Sequence, residues 1–319
     1  MSRPRVVFMG TPDFAVPSLR AVASSCDVAM VVTRPDQPRG RGLALGESEV
    51  ARAARALGLP VTKPANPNEP ATLQSLAGLG ADLFAVVAFG VILSRELLAV
   101  PRLGCINLHG SLLPLHRGAS PVQRALWDGR GASGVTTLWM DEGIDTGDLI
   151  LQRWEAIGRD DDAGSLAGRL AALGGPILSR TLLLAHEGRA PRTPQDRAAG
   201  SYAGKLTKAD GVIEWALDAE AVWGRQRAVT PWPGATTTHR GRPIRIMRAH
   251  PLHDLALDVP AGTILGVEEE GVGVACRPGA LLIERLKPEG RAEMSGAEWA
   301  RGARLAAGER MTAAEQAHT

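Results

Sequence analysis

The sequence is poor in cysteine, and it has no long hydrophobic run. Its 319 residues include three widely spaced cysteines, Cys26, Cys105 and Cys276, which provide neither a disulfide framework nor a Cys-x-x-Cys metal pair. No apolar run reaches the length of a membrane span, and the N-terminus enters an apolar stretch directly instead of forming a secretory leader. We therefore expect a cytoplasmic protein that does not associate with membranes.

The sequence also has little excess charge of either sign and few lysines. The formal net charge is +2, so total charge does not indicate a nucleic-acid binder, and only four of the 36 basic residues are lysine. The distribution of charge is more informative. Residues 221–250 contain six arginines and no acidic residue, whereas residues 254–290 contain seven acidic residues and three basic ones. This pattern predicts one basic face in the C-terminal part, with an ordinary solvated surface as the alternative.

The order of apolar runs and breakers predicts two folded parts. Apolar strands alternate with helical patterns up to about residue 187, which is typical of a doubly wound, mostly parallel α/β sheet of Rossmann-like type. Short strand-like runs then predict a small β-barrel, OB-like in character. We predict a catalytic domain at 1–189, a linker at 190–207, the barrel at 208–312 and a tail at 313–319.

The individual elements follow from the same patterns. Gly10-Thr11-Pro12-Asp13-Phe14 lacks the G-x-G-x-x-G spacing, so the first strand and helix do not predict a dinucleotide site. The loop over 33–42 is rich in Arg, Pro and Gly and is expected to be an exposed, mobile arm. The last residues, 311–319, are expected to be frayed. The predicted strands are 5–10, 28–33, 82–88, 105–108, 134–140, 149–154, 242–248, 262–267, 273–276 and 280–286, and the predicted helices end near 24, 57, 77, 128, 187, 228 and 301.

The strongest functional signal lies at the end of the strand over 105–108. Asn107 and His109 are two residues apart and therefore project to the same side of a strand. Ligands of open α/β sheets bind at the carboxyl ends of strands, where these two side chains are predicted to lie. A lone structural histidine is the alternative for His109, but Gly110 and a proline-containing loop follow at once and favour an active site.

Asp145 follows His109 by 36 residues in an acidic, glycine-flanked loop that is expected to reach the same edge. No nucleophile elbow accompanies the three side chains, so they suit transfer of an acyl group to an external amine better than a hydrolase triad. Asn107 and protonated His109 can donate to an oxyanion, and Asp145 can hold the imidazole. A metal site is the competing interpretation of His109 with the acidic loop, but no second His stands at ligand spacing, so we predict no metal.

These residues belong to longer motifs that resemble the signature of the folate-dependent formyltransferases. In that family the Asn, His and Asp serve formyl transfer from 10-formyltetrahydrofolate, and the resemblance implies that Ser111, Leu112, Leu113 and Pro114, with Val91 and Leu93, line the folate site. The motifs are Asn107-Leu108-His109-Gly110-Ser111-Leu112-Leu113-Pro114, Arg117-Gly118-Ala119, Gly143-Ile144-Asp145-Thr146-Gly147-Asp148, Gly10-Thr11-Pro12-Asp13-Phe14-Ala15 and Ala88-Phe89-Gly90-Val91-Ile92-Leu93.

The second half is similar to the members of this family that formylate methionine carried by initiator tRNA. The resemblance implies that an arm with Arg39 and Arg41 enters the acceptor end of the tRNA. It also implies that Lys205 and Lys208, with the basic side that includes Arg225 and Arg227, hold tRNA backbone. The motifs are Tyr202-Ala203-Gly204-Lys205-Leu206-Thr207-Lys208, Ile213-Glu214-Trp215, Pro231-Trp232-Pro233-Gly234, Pro260-Ala261-Gly262-Thr263-Ile264 and Met294-Ser295.

The implied activity is formylation of the α-amino group of methionine on initiator tRNA by a monomeric enzyme. The arm departs from many relatives, because Leu43-Ala44-Leu45 and Ser48-Glu49-Val50 stand where those have lysines and a Ser-Pro-Val step. Three alternatives stay open at this point. They are a formyltransferase acting on a sugar amine or small nucleotide, a non-catalytic tRNA-binding protein and a hydrolase of formyl-folate.

Overall fold

The computed structural model describes residues 3–39, 44–196, 198–252, 255 and 258–314. These residues form two compact units. The first contains the described residues within 1–121, 132–156 and 167–204, and the second those within 122–131, 157–166 and 205–319. The domain boundaries proposed from the sequence stay predictions.

Strands and helices alternate in the first half of the chain, and strands dominate the second half. Two short 3-10 helices, Asp13–Ala15 and Ala209–Gly211, supplement these elements. Up to Ala203 the elements are β1 (Arg5–Gly10), α1 (Val16–Ser25), β2 (Asp27–Val32), β3 (Gln37–Arg39), β4 (Ala44–Gly46), α2 (Glu49–Ala56), β5 (Val61–Thr62), α3 (Pro70–Ala77), β6 (Leu83–Val87), α4 (Arg95–Leu98), β7 (Gly104–His109), β8 (Arg117–Gly118), α5 (Pro121–Trp127), β9 (Ala132–Trp139), β10 (Leu149–Ala156), α6 (Ala163–His186) and β11 (Tyr202–Ala203). After Ala203 the elements are α7 (Ala219–Ala228), β12 (Ala235–His239), β13 (Arg242–Leu252), β14 (Ile264–Val267), β15 (Val272–Ala275), β16 (Ala280–Pro288), β17 (Met294–Ser295), α8 (Gly296–Ala303) and β18 (Met311–Ala313).

The first unit is built on a seven-stranded sheet in the order β10-β9-β7-β6-β1-β2-β5. The five strands from β7 to β5 are parallel, whereas β9 and β10 are added as an antiparallel pair at one edge. The predicted doubly wound, mostly parallel sheet is therefore confirmed. This order brings the carboxyl ends of β1, β6 and β7 side by side.

The central strands are apolar because both faces of the sheet are covered. Every residue of β6 is buried, and the aromatic rings of Phe8 and Phe84 are fully inaccessible to solvent. Burial of a side chain of this kind stabilises the fold by about 1.5–3 kcal/mol. Side-chain caps start the neighbouring helices, since Ser48 accepts from Ala51 N and Ser94 accepts from Leu97 N.

The arm predicted over 33–42 is partly regular. Strands β3 and β4 pair antiparallel, with Gln37 opposite Gly46. Residues 37–39 of the arm therefore form one strand of a short two-stranded ribbon. Residues 40–43 between these strands lie outside the described residues.

The second unit is a curled antiparallel sheet in the order β14-β15-β16-β13-β12-β18, with β17 paired to β16. A bridge between Thr263 and Arg310, together with hydrogen bonds from Ile264 N to Glu309 O at 2.7 Å and from Met311 N to Gly262 O at 2.8 Å, joins its two ends. The predicted small barrel is confirmed in this form. The expectation that 311–319 is frayed was wrong for Met311–Ala313, which pair with β12, while 315–319 lie outside the described residues.

The interior of this sheet is apolar and is covered by two capped helices. Ile246, Ile283 and Leu286 are fully buried in it. Asp218 caps α7, and α8 begins with a reciprocal capping box between Ser295 and Glu298. None of the helices in the described part of the chain is long and apolar enough to cross a membrane.

Candidate active site

The candidate active site lies at the carboxyl ends of the parallel strands of the first unit. Asn107 of β7 stands opposite Val86 of β6, and His109 is the last residue of β7. The neighbouring strand β1 ends at Gly10, which is paired with Val87. In α/β sheets of this kind, the loops that leave such strand ends form the ligand site.

The structure brings the three predicted catalytic side chains together. Asn107 donates from Nδ2 to Oδ1 of Asp145 at 3.1 Å, and Asp145 Oδ2 lies 3.5 Å from Nδ1 of His109. The same Oδ2 accepts a hydrogen bond from the backbone N–H of Gly118 at 2.8 Å. The carboxylate of Asp145 thus accepts hydrogen bonds on both oxygens.

The imidazole of His109 is held on both sides. It is buried, with 6% exposed, and its Nε2 lies 2.9 Å from the carbonyl oxygen of His116. A carbonyl can only accept, so Nε2 carries a proton. A second proton on Nδ1 would face Asp145, and the ring would then be a cation beside a carboxylate.

The loop that carries Asp145 is rigidly folded. Asp145 has a φ of 54°, a left-handed conformation that Asp and Asn tolerate better than most residues. Asp141 accepts from Gly143 N at 3.0 Å and from Thr146 Oγ1 at 2.7 Å. The side chain of Gln195, from the segment predicted as a linker, also contacts this loop.

The loop that follows His109 is fixed from within the sheet. Thr136 donates from Oγ1 to Ser111 O at 2.6 Å and accepts from Leu113 N at 3.1 Å, while Gln152 Nε2 donates to Leu113 O at 2.8 Å. Ser111 and Leu113 are buried, whereas Leu112 and Pro114 are half-buried. These residues were predicted to line a folate site, and the structure leaves two of their apolar side chains partly open.

Val91 and Leu93 follow β6, whose carboxyl end lies beside that of β7. Val91 is half-buried and packs against an apolar cluster in which Leu93 is buried. Both residues therefore lie on the side of the sheet edge where the site is expected. Their predicted contact with folate stays a prediction.

The residues predicted to contact tRNA form three pairs, and the structure treats each pair differently. Lys205 and Lys208 are exposed, and no carboxylate in the described residues pairs with either. Arg39 lies in β3, but its side chain is outside the description, and Arg41 lies outside the described residues altogether.

Arg225 and Arg227 are instead buried within the second unit. Arg225 donates to Glu214 and to Asp210 O, and its guanidinium lies 4.8 Å from the ring centroid of Trp127. Arg227 lies 3.6 Å above the ring of Trp223, and burial lowers its pKa below the ordinary value. A role of either residue in tRNA binding stays a prediction.

The prediction that this site holds no metal stays a prediction. No group of three or more His, Cys, Asp or Glu side chains there is arranged to hold a metal ion. Burial raises the pKa of the Cys105 thiol to about 12, so this residue of β7 is not a thiolate nucleophile at neutral pH.

Sequence reasoning missed three contributors to this site. The backbone N–H of Gly118 and the carbonyl of His116 hold Asp145 and His109, and Gln195 binds the Asp145 loop. The Arg117-Gly118-Ala119 motif marks the first of these positions, but backbone contacts leave no trace in residue type. Gln195 stands in a polar stretch without periodicity, where the sequence gives no signal.

Comparison with known proteins extends over both units. The family model described as formyl transferase matches residues 4–182, and the model described as formyl transferase, C-terminal domain, matches residues 205–304. A methionyl-tRNA formyltransferase from Symbiobacterium thermophilum is 44% identical over 314 residues, which cover 98% of this chain and 96% of that protein.

Two solved structures share the fold at low sequence identity. The N-formyltransferase from Helicobacter canadensis, in complex with folinic acid and dTDP-3-aminofucose, has a TM-score of 0.64 at 18% identity and covers 89% of this chain and 98% of that chain. HypX from Aquifex aeolicus, in complex with tetrahydrofolic acid, has a TM-score of 0.58 at 19% identity and covers 94% of this chain. The present chain spans about half, 47%, of that HypX chain.

Proposed function

Because this chain belongs to the formyl transferase family, we propose that it transfers the formyl group of 10-formyltetrahydrofolate to the free α-amino group of methionine on initiator methionyl-tRNA. The observation that carries this proposal is the similarity to a methionyl-tRNA formyltransferase along nearly the whole chain, through both units. The cluster of Asn107, His109 and Asp145 supplies groups of the right chemistry.

In this reaction the amine nitrogen attacks the formyl carbon, the bond from that carbon to N10 of the folate breaks, and the amine proton is lost while N10 gains one. Negative charge develops on the formyl oxygen. The Asn107 amide uses one N–H on Asp145 and retains a second for this oxygen. An oxyanion donor of this kind commonly accounts for about 100- to 1,000-fold in rate.

His109 and Asp145 act as a pair in this proposal. Asp145 stabilises the cationic ring of His109, and that positive charge in turn stabilises the oxyanion. The attacking amine must also lose a proton in this region, and the Asp145 carboxylate is a group there that can accept it. The amine must be neutral to attack, so activity is expected to fall on the acid side.

The loop Ser111–Pro114 suits the folate donor. Its backbone carbonyls at Ser111 and Leu113 are occupied by Thr136 and Gln152, so the loop offers mainly the apolar surfaces of Leu112 and Pro114. An apolar surface of this kind fits an aromatic heterocycle. Val91 and Leu93 would add to it from the turn after β6.

The tRNA is expected to bind through its phosphates. Lys205 and Lys208 are exposed cations without carboxylate partners in the described residues, and the arm with Arg39 and Arg41 supplies further positive charge. Such contacts determine the position and affinity of the bound tRNA but do not recognise its base sequence. A protein with this substrate is expected to act in the cytoplasm, and we propose that it acts as a monomer.

The test is transfer of labelled formyl from 10-formyltetrahydrofolate by the purified full chain. Methionyl initiator tRNA should be formylated much faster than methionyl elongator tRNA, and a free nucleotide-linked amino sugar should not be a substrate. Formylation of the amino sugar alone would establish the alternative acceptor. Release of folate without any acceptor would indicate a hydrolase, and His109→Ala with normal formylation at saturation would remove His109 from the mechanism.

A further inference from the structure

The segment that joins the two halves of the sequence is anchored along the active-site loops. Thr193 and Leu149 exchange backbone hydrogen bonds of 3.0 and 2.8 Å. Further on, Ser201 O accepts from Arg117 N at 2.8 Å, and Ala203 O accepts from Ala119 N at 2.9 Å. The described residues between these anchors, 194–196 and 198–200, are therefore restrained relative to the loops that carry His116, Gly118 and Asp145.

Gln195 lies between the two anchors and uses its whole amide group. Its Oε1 accepts from Arg117 Nε at 3.2 Å and from Arg117 Nη2 at 2.9 Å. Its Nε2 donates to Asp145 O and to Gly147 O, both at 2.8 Å. A guanidinium can only donate and a carbonyl can only accept, so this environment permits one orientation of the amide.

These contacts act on the backbone that orients Asp145. The two carbonyls bound by Gln195 flank Thr146, and Asp145 itself is in the left-handed conformation. Gly147 also approaches the Trp139 carbonyl so closely that a Cβ atom would collide with it. The turn is thus packed closely at Gly147 and bound by Gln195 at Asp145 O and Gly147 O.

We propose that Gln195, with its amide orientation set by Arg117, is a positioning residue that holds the Asp145 carboxylate against Asn107 and His109 for catalysis. This inference rests on the proposed formyl transfer and adds to it a residue from outside the three catalytic positions. Gln195 acts through the backbone of Asp145 and does not touch the reacting groups. Arg117 acts through Gln195.

The first test is Gln195→Glu, a substitution of the same shape. The new carboxylate keeps the contact with Arg117 but places an oxygen against the two loop carbonyls, so both donated hydrogen bonds are lost. We expect kcat to fall about 10- to 100-fold, as for a displaced catalytic group, with KM for tRNA and for the folate changed less than about twofold. Gln74→Glu is the matched control, because Gln74 is exposed on α3 and the same substitution there should leave kcat unchanged.

A double-mutant cycle then separates positioning from a general structural effect. Arg117→Ala frees the amide of Gln195 and should lower kcat less than Gln195→Glu does. The double variant should be no slower than Gln195→Glu alone, because Arg117 acts only through Gln195. Independent, multiplying losses in the double variant, or a change in KM in place of kcat, would overturn the inference.

Stability is followed by thermal melting of each variant. If Gln195→Glu melts early, Gln195→Met removes both donors without adding charge, and it should show the same loss of kcat. A Gln195→Met enzyme with wild-type kcat would refute the role of the side chain. Failure of the wild-type protein to formylate tRNA would refute the proposed function instead, so the two failures are distinguishable.

Discussion

Replacement of Asp145 by Asn removes one negative charge and almost no volume. The left-handed conformation at φ of 54° is retained, because Asn tolerates it as well as Asp does. The substitution therefore tests the charge and hydrogen bonding of the carboxylate without rebuilding the loop. The affected contacts are those with Asn107 Nδ2, Gly118 N and His109 Nδ1.

The expected loss of kcat in Asp145→Asn follows from the number of side-chain oxygens at residue 145 that can accept hydrogen bonds. The carboxylate accepts from Asn107 on one oxygen and from Gly118 on the other, at 3.1 and 2.8 Å. An amide has one oxygen, so its NH2 group must face one of these donors, and that hydrogen bond is lost. A hydrogen bond to a charged group contributes about 1.5–3 kcal/mol. His109 also loses the negative charge beside it, so we expect a cost near the upper limit, which is about 100-fold in kcat.

The assay is single-turnover formylation of methionyl initiator tRNA at saturating enzyme and folate, with thermal melting as the check on folding. Glu142→Gln is the matched control. Glu142 stands three residues earlier in the same loop and is exposed, with its carboxylate 3.3 Å from Arg95, so the same charge change there should leave the rate within threefold. An Asp145→Asn enzyme within threefold of wild type, or an equal loss in the control, would refute the assigned role of the carboxylate.

Three further predictions address other parts of the chain. Gly118→Ala, at φ of 108°, would place Cβ 2.7 Å from Ala203 O. We expect this variant to lose about 1–3 kcal/mol of folding stability and at least about tenfold in kcat. Thermal melting and steady-state kinetics measure the two effects, and unchanged values would contradict the prediction. In the double variant Lys205→Ala, Lys208→Ala, the slope of log Kd for tRNA against log salt concentration should fall by about one phosphate contact for each lysine. Equal slopes for the wild type and the variant would exclude those contacts. Hydrogen bonds from Arg240, Ala306 and His239 lower the pKa of Glu309 from 4.5 to about 2, so its stabilising contribution is complete above pH 4.5 and is lost as the pH falls towards 2. The difference in melting temperature between wild type and Glu309→Gln should therefore shrink below pH 4.5, and a constant difference down to pH 3 would show that the pKa is not lowered.

Most of the fold and part of the predicted catalytic cluster follow from local sequence pattern. Continuous apolar runs predict the central parallel strands, and the carboxyl ends of such strands meet at one edge. That geometry is enough to expect Asn107 and His109 at this edge. Asp145 follows β9, which runs antiparallel to β7, and it was expected nearby only because strands consecutive in sequence are often neighbours. The structure brings the three side chains together. The left-handed turn at Asp145 was not predicted, because Asp occupies that conformation only in particular contexts.

The elements that were missed have weak local patterns. Strand β12 is almost entirely polar in sequence, and its buried Thr237 is satisfied by Trp215 Nε1 and Thr312 O, which are distant in the chain. Strand β18 has three residues, too few for any periodicity. Gln195 shows the same limitation within the site, because its four hydrogen bonds all go to residues 48 to 78 positions away.

The pairing of β12 with β18 has a consequence for synthesis of the protein. Thr237 and His239 pair with Ala313 and Met311, which are synthesised more than seventy residues later. Until then β12 presents an unpaired backbone edge, which is a template for association with other chains. In nascent chains arrested a few codons before Met311, the first unit should therefore be complete, whereas the second unit should be prone to associate with other chains through the unpaired edge of β12.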